Sequence, residues 1–214
     1  YLQNEEGYVN LPLGEYVVTV EAEPTEAGLM VSMSNGANHM SDMKNAEELQ
    51  AALESGLQYD FMSYGTADCY LKTSTGKLAV RRVSNSIEIP SEEFLFDDES
   101  SIEEDGIITG DGGGIKIFGP NRKWLDGNYI VTCEYEVLSD LKKVDNDKIG
   151  TIDALYNGLV IGQVDVRKNM VEEDELTVEM PIIVQYTQAD SRLEIRTALA
   201  ENVKLKLKSV TITQ

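Results

Sequence analysis

The sequence predicts an all-β protein: two tandem antiparallel β-sandwiches from an internal duplication, with a short helix in the first. Three observations carry this. Apolar and polar residues alternate at period two, Asn-Gly pairs stand where hairpins would turn, and one pattern of residues occurs twice in the same order.

The first strand runs from Gly14 and places Tyr16, Val18, Val20 and Ala22 on one face, with Val17, Thr19, Glu21 and Glu23 on the other. A second strand repeats this, with Tyr129, Val131, Cys133 and Tyr135 against Ile130, Thr132, Glu134 and Glu136. The face that ends in Glu meets water, so the tyrosine face meets the core. On Cys133 this implies a buried free thiol. Val203, Leu205 and Leu207 alternate with Lys204, Lys206 and Lys208 in the same manner. Asn35-Gly36 and Asn157-Gly158 read as type I′ turns, which need two positive φ values. The second would join a strand over Ile152–Tyr156 to one over Leu159–Val164. A helix is expected over Asp42–Ser55, where Leu49, Ala52 and Leu53 share a face, with Ser41 or Asp42 as cap and Gly56 at the end. The matching stretch, Lys168–Glu175, is too polar to assign.

The repeat is collinear. Residues 14–23 match 127–136 at an offset of 113, and Asn35-Gly36 matches Asn157-Gly158 at 122. Tyr64, Ala67 and Asp68 match Tyr186, Ala189 and Asp190 at 122, and Ile87–Ile89 matches 210–212 at 123. The step of 122 − 113 = 9 places an insertion around Leu138–Gly150, which reads as a longer loop. Recurrence of Tyr64 and Tyr186 points to a role in the fold, as buried rings. The domains are therefore expected at 1–90 and 107–214. Between them, 91–106 holds eight acids and no Lys or Arg, and Gly110, Gly112, Gly113 and Gly114 follow. This reads as an acidic linker, with Phe94, Leu95 and Phe96 docking on one domain.

Composition excludes several functions. The 38 Asp+Glu outnumber the 18 Lys+Arg, a net charge of −20, which disfavours nucleic acid and anionic membranes. One His, His39, rules out most His-dependent catalysis and multi-His metal sites. Two cysteines, Cys69 and Cys133, are too few for a disulfide scaffold or a four-cysteine zinc site. No nucleophile elbow, His-Glu-x-x-His, phosphate loop or dinucleotide fingerprint occurs, so no enzyme is expected. No cofactor is expected either. Asp145-Asn146-Asp147 opens like a calcium loop, but Ile149 and Tyr156 stand where oxygen ligands belong. A structural calcium of other geometry stays open. There is no apolar run near 18 residues and the chain begins at Tyr1. This reads as a mature secreted protein or a cell-surface ectodomain whose anchor lies elsewhere; a cytosolic protein without its Met is the alternative.

Ile117-Phe118-Gly119-Pro120, followed by Leu125-Asp126-Gly127-Asn128-Tyr129-Ile130-Val131, resembles the opening of jelly-roll domains of the galactose-binding-like and carbohydrate-binding-module type. Leu11-Pro12-Leu13-Gly14-Glu15-Tyr16 resembles the same opening without the Gly-Pro. The resemblance implies jelly-roll sandwiches, a surface protein of bacteria, and glycan binding through aromatic platforms and polar loops. On that basis Trp124, Tyr156 and Asn157 are the candidate carbohydrate-binding residues. Trp124 and Tyr156 replace Leu11 and Ser34 of the first copy, so the site is expected in the second. For Trp124 core packing is the competing role, and for Tyr156 an ordinary place in a hairpin. The expected partner is a glycan or a cell-surface protein. A stalk or adhesion part with no small ligand is the alternative.

Overall fold

The computed structural model describes residues 7–65, 69–186 and 191–214. Two compact units divide the chain at Ile87 and Glu88. Ala67, Asp68, Ala189 and Asp190 of the repeat lie outside the described residues.

The first unit holds β1 (Tyr8–Val9), β2 (Gly14–Glu21), β3 (Leu29–Ser34), β4 (His39–Lys44), α1 (Ala46–Ser55), β5 (Gln58–Ser63), β6 (Cys69–Thr73) and β7 (Lys77–Ser84). One sheet runs β1-β6-β3-β4 and the other β5-β2-β7. Short β8 (Ser86–Glu88) stands at the junction of the units in sequence. The second unit holds β9 (Leu95–Phe96), β10 (Ser101–Glu103), β11 (Gly106–Ile108), β12 (Gly114–Arg122), β13 (Gly127–Val137), β14 (Lys148–Tyr156), β15 (Leu159–Arg167), β16 (Glu175–Val184), β17 (Leu193–Leu199) and β18 (Leu205–Thr213). Its sheets run β15-β14-β17-β12-β9 and β10-β11-β18-β13-β16. The strand pairs along these four orders are antiparallel among the described residues.

The strand orders of the two units match. β5-β2-β7 has its counterpart in β16-β13-β18, and β1-β6-β3-β4 in β12-β17-β14-β15. From β1 to β7 and from β12 to β18, each strand passes to the opposite sheet except across the β3–β4 and β14–β15 hairpins, which is jelly-roll winding.

Each alternating strand buries the face its sequence implies. Tyr16, Val18 and Val20 enter the first core beside Val31, Met33, Phe61 and Leu71. Tyr129, Val131, Cys133 and Tyr135 enter the second. Burial lifts the Cys133 thiol to about 12, and both cysteines are buried and outside any disulfide. Tyr135 is held across the core by a 2.7 Å hydrogen bond between its hydroxyl and that of Thr197. In β18 the alternation slips at a bulge opposite Glu134 and Tyr135, so that Leu205 and Leu207, then Val210 and Ile212, all face inward.

The two leading tyrosines make the same bond. Tyr16 donates its hydroxyl to the Pro12 carbonyl at 2.7 Å, and Tyr129 to the Leu125 carbonyl at 2.8 Å, each four residues back. Each ring thus pins the entry to its own strand. Tyr16→Phe and Tyr129→Phe are each expected to cost about 1 kcal/mol, the net worth of one such bond. Thermal melts check this, and unchanged melts would leave the hydroxyls without a role.

Four expectations need correction. The helix begins at Ala46, because residues 42–44 continue β4. Its cap is Asn45, whose side chain accepts the Glu48 N–H at 3.0 Å while the Glu48 carboxylate accepts the Asn45 N–H at 3.0 Å. Leu49 is fully buried and Gly56 ends the helix, as expected. Asn157-Gly158 is a two-residue turn with φ of 53° and 74°, but Asn35-Gly36 opens a four-residue loop between Ser34 and His39. There the Asn35 side chain accepts the N–H groups of Ala37 and Asn38, which closes the loop without a type I′ turn. In the region of the expected insertion, Lys148–Gly150 belongs to β14.

The fourth correction concerns the acidic stretch. It is built into the second sandwich: β9 pairs with β12, β10 with β11, and β11 with β18. The physical reason is Lys116. It is 2% exposed, and its ammonium meets Asp97 at 2.7 Å and Glu99 at 2.8 Å. A buried ammonium needs counter-charge, and the acids supply it. Phe94, 4% exposed, anchors the same stretch.

Candidate functional site

The three candidate residues lie together at one end of the second sandwich, where the β12–β13, β14–β15 and β16–β17 connections meet. Two of them face inward. Trp124 is 0% exposed and Tyr156 5%. Trp124 packs edge-on against Tyr129 with ring centroids 5.9 Å apart, and the Tyr156 hydroxyl donates to the Trp124 carbonyl at 3.3 Å. Tyr156 also differs in phase from Ser34, which faces outward on β3. Neither ring offers a face to a ligand, so both stand corrected as contact residues. They form the floor beneath the loops.

Asn157 is exposed and ties two loops together. Its amide donates to the Ser191 hydroxyl at 2.9 Å, and its carbonyl oxygen accepts the Arg192 N–H at 3.2 Å. Its own N–H donates to the Arg192 carbonyl. The exposed aromatic at this end is Tyr186, 82% accessible. Its N–H donates to the Asp126 carboxylate at 3.2 Å, which joins the β16–β17 connection to the β12–β13 connection. Asp126, Asn157, Tyr186 and Arg192 therefore share one rim, fixed by backbone hydrogen bonds over a packed aromatic floor.

Recurrence of Tyr64 and Tyr186 implies two buried rings, but only Tyr64 is fully buried. The inward alternation of Leu176, Val178, Met180, Ile182 and Val184 ends before Tyr186, whose φ is 58°. The Asp145–Gly150 segment lies at the opposite end of β14. Arg167 engages Asp147 at 2.9 Å, and Lys148 engages Asp165 at 2.7 Å. Among the described residues no group of three His, Cys, Asp or Glu side chains is placed to hold a metal, and no helix is long and apolar enough to cross a membrane.

No protein-family model matches the chain, and no curated protein matches it. Among solved structures it is similar to the C-terminal family 6 carbohydrate-binding module of LamC, a marine laminarinase from Zobellia galactanivorans. Identity there is 17% over 61% of this chain and 100% of that one, with a TM-score of 0.42. The xylan-binding module CBM15 shares 14% identity over 60% of this chain and 95% of that one, with a TM-score of 0.43. A family 35 module from Clostridium thermocellum shares 9% over 60% and 98%, with a TM-score of 0.39. These neighbours are carbohydrate-binding modules. Each is a likeness at low identity, and no site residue passes from them to this chain.

Proposed function

We propose that the chain is a non-catalytic glycan-recognition module of a secreted or cell-surface bacterial protein, with the loop end of the second unit as its contact surface. The observation that carries this reading is Tyr186, a ring 82% exposed on a rim whose backbone is tied down. The C–H face of a sugar ring is attracted to the negative face of an aromatic ring, and the neighbouring polar groups orient its hydroxyls. Asp126 and Asn157 supply acceptors, Asn157 and Arg192 donors. Loops that carry such groups on a rigid sandwich are where function concentrates. The acidic composition and the β-sandwich build support the extracellular placement.

A glycan array followed by calorimetric titration tests the reading. Tyr186→Ala is expected to weaken the best ligand at least tenfold with the melting temperature unchanged, since the ring is exposed. Wild-type affinity in that variant would move the site elsewhere. No glycan bound by the wild type would favour the stalk or adhesion role.

A further inference from the structure

We infer that Met30 and Met43, on the outer face of the β3–β4 hairpin, form a site for one soft monovalent cation of the copper(I) class. The site lies in the first unit and does not depend on the glycan reading of the second.

Methionine is concentrated here. Of the 7 in the chain, Met30, Met33, Met40 and Met43 fall within residues 30–43, together with the single His. Strand pairing sorts them into two cross-strand pairs, Met30 opposite Met43 and Met33 opposite Met40. The inner pair is packing: Met33 is buried and Met40 rests against the same core. The outer pair has no such role. Met30 is 44% exposed and Met43 75%. The outward positions that follow along the hairpin are polar, Ser32 opposite Ser41 and Ser34 opposite His39.

The duplication supplies a control. The hairpin in the matching place, β14–β15, contains neither Met nor His between Lys148 and Arg167. The fold therefore does not call for thioethers there.

The chemistry of the pair is specific. Residues directly opposite on antiparallel strands hold their Cβ atoms about 4.5–5.5 Å apart, and Met is unbranched and flexible. Both sulfurs are within reach of one ion placed between them. A thioether is a soft donor that suits copper(I), whereas magnesium, calcium and manganese take oxygen. It has no proton to lose, so a cation does not compete with protonation for it. An ion with a filled d shell accepts two donors in line. The two side chains also line one surface cavity, with Leu29, Asn45 and Ser74 among its other walls. Lys44, which shares that cavity, is matched by Asp42 at 3.0 Å. The net charge of −20 attracts a cation.

The test is titration of the full chain with silver(I) in chloride-free buffer, with the methionine methyls labelled for NMR. Silver(I) has the same filled d shell as copper(I) and keeps one oxidation state. The two methyl signals that Met30→Leu and Met43→Leu remove are expected to move together and to stop moving at one equivalent. The methyls of buried Met33 and Met180 are expected to stay still. Each Leu substitution is expected to weaken silver binding at least tenfold with the melting temperature unchanged, since both positions are exposed. Zinc(II) is expected to move neither signal. Met30 and Met43 signals that stay still, as when silver goes to Cys69 or Cys133 instead, would overturn the inference. So would full affinity in both Leu variants, or an equal response to zinc(II). A shift complete at half an equivalent would also overturn it, since the ion would then join two copies.

Discussion

A chain that begins at residue 107 is expected to fail to form the second sandwich, whereas one that begins at residue 88 is expected to melt cooperatively on its own. The shorter chain loses Phe94 from the core, about 3–5 kcal/mol, which is a large part of the stability of an ordinary domain. It also loses β9 and β10 from the sheet edges, and with them Asp97 and Glu99, the partners of the Lys116 ammonium. Thermal melts of the two chains decide the matter, and a 107–214 fragment as stable as 88–214 would return the acidic stretch to the role of a free linker.

The same contact gives the second unit an acid limit. Burial pushes the Asp97 carboxyl up, but bonds from Lys116 and Ser100 outweigh it and hold it below the usual 3.8. A carboxylate lowered in this way stabilises the fold at pH above its unfolded value. That contribution is lost as pH falls through the lower folded value. Asp97→Asn is expected to flatten the acid side of the stability profile, and an unchanged profile would show that other carboxylates set it.

Replacing Trp124 with Ala is expected to destabilise the second unit by about 3–5 kcal/mol, the range for a large aromatic lost from a packed interior. The ring is fully buried and stacked edge-on against Tyr129. If Trp124 were instead a ligand platform, its removal would abolish binding and leave the melt unchanged. The contrast with Tyr186→Ala makes the two roles separable: one variant loses stability, the other affinity.

Period-two alternation was enough to place Tyr16, Tyr129 and Cys133 in the core, because a half-buried strand has only two faces. Asn157-Gly158 was legible as a turn because both residues take positive φ. Asn35-Gly36 was not, since the same dipeptide serves a longer loop when the Asn side chain caps two N–H groups. The acidic stretch misled because charge density reads as solvation until the buried partner is known. At the candidate site recurrence misled at one residue: Tyr64 is buried, but its counterpart Tyr186 follows the end of β16 with a left-handed backbone and is exposed.

The position of β18 has a consequence for biosynthesis. It lies between β11 and β13, in the interior of its sheet. Until Thr213 has left the ribosome, β11 and β13 each keep an unpaired edge and the alternating inner face of β13 lacks one neighbour. By contrast β7 closes the edge of its own sheet. Chains are made at about 5–20 residues per second, so the second unit waits with open strand edges for seconds. A product truncated before Leu205 is therefore expected to aggregate rather than to fold in part.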